Sequence, residues 1–107
     1  MMKYLLLLLV ALLTFQANAA SDSSGKVKEV YSNQEGALAL KLDSPFSEGA
    51  VQECPQYNGF AGVAPTADPI LKSMLLAAFS TQKRVKLVIN GCNGNWLNIQ
   101  SIFVYEN

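Results

Sequence analysis

Apolar residues along the chain follow two kinds of pattern. Between Thr66 and Gln82 they recur at helical spacing: Ile70, Leu71, Met74, Leu75, Ala78 and Phe79 share one stripe, widened by Leu76 and Ala77. Asp68 can cap the free N–H groups at the start, with Thr66 as a second candidate. Pro69 follows at the first helical position, where its missing N–H costs nothing. The spacing predicts one helix, over residues 69–81, apolar enough to be covered on more than one side.

Elsewhere the period is two. Residues 37–42 alternate cleanly, with Leu38, Leu40 and Leu42 on one face and Ala37, Ala39 and Lys41 on the other. Residues 84–89 do the same, with Val85, Leu87 and Ile89 sharing a face. Residues 25–31 form a first strand in which Val27 and Val30 fall out of phase, predicting a bulge or a strong bend. A weaker strand covers residues 57–64, with Phe60 and Val63 facing inward, and Pro65 ends it. In the last strand, residues 96–105, Leu97 and Ile99 share a face that Ile102 and Val104 continue only if a bulge lies near Gln100 and Ser101. Residues 32–36 and 90–95 read as turns, 43–55 as loop and 20–24 as a disordered polar leader.

The predicted order is β-β-β-α-β-β, a mainly β chain with one helix (α+β). Five strands with a helix between the third and fourth is the order of an OB-fold-like barrel, whose bent, bulged strands close a small Greek-key sheet. The competing arrangement is an open α+β sandwich with the helix packed on one sheet.

The start of the chain changes what counts as the folded protein. Lys3, an apolar run over residues 5–15 and the Ala17-Asn18-Ala19 cleavage pattern predict a signal peptide over 1–19, cut after Ala19. The run is too short to span a bilayer, so no membrane insertion is expected. No cysteine follows the cleavage site, which argues against a lipoprotein anchor. Residues 20–107 then form one OB-fold-like domain, secreted or periplasmic. Removing residues 1–19 takes away one lysine and no acid from a balance of 8 basic and 8 acidic residues, leaving a net charge near −1. No basic face for nucleic acid or for an anionic membrane emerges from that balance.

Two cysteines, Cys54 and Cys92, lie beyond the cleavage site. In an exported chain they are expected to form a disulfide around the helix and the strand after it, worth roughly 3–4 kcal/mol by loop entropy. That is a sizeable share of the stability of so small a domain.

Candidate chemistry is sparse. The chain has no histidine, which excludes Ser–His and Cys–His catalysis and a histidine-ligated zinc site. Asp43, Glu48 and Glu53 read as solvated loop charge rather than a glycosidase pair. The stretch Gly91-Cys92-Asn93-Gly94-Asn95-Trp96 lacks the lysine and the following helix of a phosphate loop. We therefore expect no enzyme activity, no cofactor and no metal. A polar, aromatic surface remains: Asn93, Asn95 and Trp96 between strands 4 and 5, and Ser32, Asn33 and Gln34 between strands 1 and 2. Amides that hydrogen-bond hydroxyls, beside a ring that stacks on a sugar face, suit an uncharged glycan. The alternative is that Asn and Gly only form turns and Trp96 belongs to the core. Alternation places Trp96 opposite Leu97 and Ile99, outside the barrel.

The stretch Gly25-Lys26-Val27-Lys28-Glu29-Val30-Tyr31, the helix with its following basic turn, strand and Cys92, and the final Asn95-Trp96-Leu97-Asn98-Ile99-Gln100-Ser101-Ile102 together resemble small secreted bacterial proteins of the subtilase cytotoxin B subunit kind. The resemblance implies an OB-fold, glycan binding and a homo-oligomeric, pentameric ring whose central pore is lined by the helix, here 69–81. It assigns no contact residues within 43–56. The reading is a secreted, non-enzymatic, carbohydrate-binding, toxin B-subunit-like module. The alternative is a monomeric periplasmic or secreted structural or interaction protein, including an inhibitor-type partner, with no sugar site.

Overall fold

Strand β1 (Ser21–Ser32) begins four residues earlier than the apolar pattern announces. The computed structural model describes residues 20–106, so the signal peptide expected over 1–19 lies outside the described residues. Residues 21–24, expected to be a loose leader, are instead ordered strand. Ser21 to Lys26 pair antiparallel with Ile89 to Arg84 on β4 (Arg84–Asn93). A partner distant in sequence supplies the backbone bonds that local composition does not advertise. Buried Ser23 is satisfied as well, its hydroxyl accepting the Ser47 N–H at 3.0 Å.

The second half of β1 changes partner. Val27 pairs with Leu42, and Glu29 to Ser32 pair with Lys41 to Leu38 on β2 (Leu38–Leu42). The register shifts between Val27 and Glu29, so Lys28 is the extra residue of the bulge that the out-of-phase valines predict. β2 also pairs with β3 (Ala61–Val63), a strand shorter than the 57–64 expected. β3 runs parallel to β5 (Trp96–Tyr105), and β5 pairs antiparallel with β4. The pairings close on themselves in the order β1-β2-β3-β5-β4. The expected slip in β5 is present: Val88 faces Ser101 and Ile89 faces Ile99, leaving Gln100 extra.

Inside the ring of strands lie Val27, Leu40, Val63, Val85, Leu87, Ile89, Leu97 and Ile99, all buried. Helix α2 (Pro69–Thr81) adds Leu75 and Ala78 to this core. The start of α2 is as the sequence indicates, with Asp68 Oδ1 accepting the Ile70 N–H at 2.8 Å and Pro69 following. At the other end Gln82 takes φ +55°, and its side-chain Nε2 donates to the carbonyls of Phe79 and Val27 at 2.8 and 3.2 Å. Those bonds hold a left-handed residue that glycine usually supplies.

Within the protomer the rest of the chain covers one side of α2: Leu71, Met74 and Phe79 are half-buried, whereas Ile70 stays 71% and Leu76 46% exposed. One expectation is corrected here. The segment 43–55 is not simple loop. Ser47 caps a short helix, α1 (Glu48–Gln52), accepting the Ala50 N–H at 3.4 Å. Phe46, Ala50 and Cys54 then reach the core, and a Cys54–Cys92 disulfide with Cα atoms 5.6 Å apart ties the segment to β4 across 38 residues. Among the described residues no helix is long and apolar enough to cross a membrane.

Candidate functional site: an aromatic shelf on the outer face

Trp96 is the first residue of β5, and Leu97 and Ile99 after it point into the core at 0% and 3% exposure. Alternation therefore turns Trp96 outward, as the pattern predicts. It is not free in solvent, however. Its ring rests on the outer side of β3 at Gly62 and meets Tyr31 edge-on, with centroids 6.0 Å apart and planes at 78°. Tyr31 also tilts against Phe60, at 6.4 Å and 52°. Both geometries fall in the favourable range for aromatic pairs. The Lys41 ammonium lies 4.7 Å above the Phe60 ring.

Three strands supply this shelf because their register brings the rings together. Tyr31 pairs with Ala39, Ala39 with Gly62, and Leu97, next to Trp96, pairs with Ala61. Ala39, on the strand face opposite Leu38 and Leu40, is fully buried yet lies outside the core cluster. Phe60 corrects an expectation: it stays outside the barrel, half-exposed, one residue before β3 begins. Tyr31, Asn58, Phe60 and Trp96 border a depression of about 210 Å³.

The predicted polar residues divide between structure and surface. The Asn33 side chain accepts the Ala37 N–H at 3.2 Å and its carbonyl accepts the Gly36 N–H at 3.0 Å, so Asn33 closes its own turn. Gln34 is exposed at the tip of that turn. Asn93 pairs with Trp96 across a hairpin whose two turn residues are Gly94, at φ +60°, and Asn95. The positive φ at the first turn position is one that glycine supplies. The Asn95 carbonyl accepts the Asn58 N–H at 3.1 Å, which draws the hairpin onto the segment leading to β3. The structure thus gathers Asn95 and Trp96 with Asn58, Phe60 and Tyr31. The last three were missed as site residues. Tyr31 had a signal, an aromatic at the strand end beside a polar turn; Asn58 and Phe60 had none without the register.

The shelf holds stacking surfaces and amides, without a titratable dyad. Among the described residues no three His, Cys, Asp or Glu side chains converge as a metal site would require. Compared with known proteins, the chain matches no family model, and no curated protein or solved structure is significantly similar to it.

Proposed function

We propose that this protein is a secreted or periplasmic, non-enzymatic binding module with an OB-fold, and that its aromatic shelf binds carbohydrate. The observation that carries this reading is the outward Trp96 ring braced by Gly62 and Tyr31 beside a depression edged by Asn58 and Phe60. A fixed ring with one open side is a stacking platform for the apolar face of a sugar, and neighbouring amides supply directional bonds to hydroxyls. The placement fits the OB-fold, which uses its outer sheet and the loops after strands 1 and 4 for ligands. The resemblance to the subtilase cytotoxin B subunit kind adds a ring assembled through α2, whose outer side carries Ile70 and Leu76 in solvent.

A glycan array probed with the exported protein tests the shelf. Binding should appear in the wild type, vanish in Trp96→Ala, and protect Trp96 from iodide quenching. An array without hits, or hits unaffected by Trp96→Ala, refutes the reading.

The second reading is a monomeric interaction protein without a sugar site. It is favoured by the internal engagement of Asn33 and of Asn58, whose Oδ1 accepts the Phe60 N–H at 3.3 Å. Sedimentation velocity separates the two assemblies, because a pentameric ring has five times the protomer mass.

A further inference from the structure

We propose a second binding site, a cationic pocket between β2 and the α1 segment, for a small carboxylate carrying an apolar body about the size of a phenylalanine side chain. The pocket has a volume of about 460 Å³, within the range of small-molecule sites. Its wall is apolar: Leu42, Phe46, Val51 and Tyr57 line it, and Phe46 and Tyr57 pack edge-on at 6.4 Å. Its rim carries Lys28 and Lys41.

Lys28 is the extra residue of the bulge and shares with Glu29 the place opposite Lys41, and both lysines line the pocket. Neighbouring like charges across strands are unfavourable, so an arrangement that brings two ammoniums to one concavity favours an anion between them. The stem of Lys41 passes over Gly59, and its ammonium sits above Phe60. Asp43 also lines the pocket, its Oδ1 accepting the Lys26 N–H at 2.9 Å, so its carboxylate offsets one lysine and leaves the lining with one cation in excess. Glu29 stands opposite Lys41 in register but is exposed and outside the pocket lining. Burial pushes the Tyr57 hydroxyl up from the usual tyrosine range, so at neutral pH it is a donor and never a competing anion. Ligand of this class would place its apolar body against Phe46 and Val51 and its carboxylate between the two ammoniums. A free small acid and the C-terminal carboxylate of a peptide ending in an aromatic residue both present that chemistry.

The test is an NMR titration of the full exported protein with 3-phenylpropionate and, separately, its neutral amide. Saturable shifts at the Gly59 and Ser44 amides are expected with the acid, and about tenfold weaker binding with the amide. Lys41→Met and Lys28→Met should each weaken the acid severalfold without affecting the amide; Lys28 is exposed, so its variant folds whatever becomes of Lys41. Acetyl-Ala-Phe and its C-terminal amide form the second arm: tighter binding of the peptide acid assigns the site to a chain terminus, and tighter binding of phenylpropionate assigns it to a free acid. Trp96→Ala should leave all of this unchanged, which separates the pocket from the aromatic shelf. Equal affinity for acid and amide, indifference to both lysine variants, or no saturable shift at Gly59 overturns the proposal.

Discussion

Trp96 lies where it does because residue 62 is glycine. A Cβ at position 62 would stand 2.6 Å from Trp96 Cε3 and 2.5 Å from the Leu38 carbonyl oxygen, with the Ala39 Cα at 3.1 Å. Two of those three neighbours are backbone of the adjacent strand and cannot turn aside. Gly62→Ala should therefore cost about 2 kcal/mol or more and lower Tm by roughly 10 °C. It should also shift Trp96 emission to the red as the ring lifts. An unchanged melting curve would show that β3 yields more than this packing allows.

Trp96→Ala reads the same contact from the other side. The ring is half-buried against Gly62 and Tyr31, so its loss should cost about 1–2 kcal/mol, below the roughly 3–5 kcal/mol of a fully buried aromatic. Wild-type emission should fall between that of core and solvated tryptophan. Chemical denaturation and fluorescence check both values.

On α2, neighbouring leucines should behave in opposite ways. Leu75 is fully buried and Leu76 is 46% exposed. Leu75→Ala should cost about 2–5 kcal/mol. Leu76→Glu should leave the protomer within about 0.5 kcal/mol and act only on self-association. Thermal melts paired with sedimentation velocity distinguish the two.

The Asp68 cap is separable from its charge. Asp68→Ala should cost about 1 kcal/mol, whereas Asp68→Asn, which keeps the acceptor for the Ile70 N–H, should be nearly neutral. A loss as large in the asparagine variant would mean that the helix dipole, not the hydrogen bond, sets the effect.

Tyr57 makes stability fall at high pH. Burial raises its hydroxyl pKa above the ordinary tyrosine range. The unfolded chain therefore releases this proton first, and the unfolded state binds fewer protons than the native one above pH 10. The stabilisation is complete below that pH and is lost as pH rises through the raised native value. Tyr57→Phe should remove this part of the alkaline slope in denaturation curves recorded against pH.

Local signals carried much of the fold. Asp68-Pro69 announces α2, the phase break at Gln100 announces the bulge in β5, and the alternation of Val85, Leu87 and Ile89 marks the buried face of β4. The missing parts have distant causes. Nothing in Ser21-Asp22-Ser23-Ser24 favours a strand; the open backbone groups of β4 do. Ser47 is a legible cap for α1, but Gly49 within so short a helix weakens the pattern. Trp96 was legible as outward-facing from Leu97 and Ile99. Its companions Tyr31 and Phe60 join it through β1, β2 and β3, whose register no single strand encodes.

The divided pairing of β1 bears on how the chain comes to be assembled. Its second half meets β2 across a short turn, but Ser21 to Lys26 must wait for Ile89 to Arg84, more than half the chain away. The sheet of a polypeptide built this way closes only once residues 84–89 are in place, and bringing them to residues 21–26 is a long loop closure, intrinsically slower than the local formation of α2.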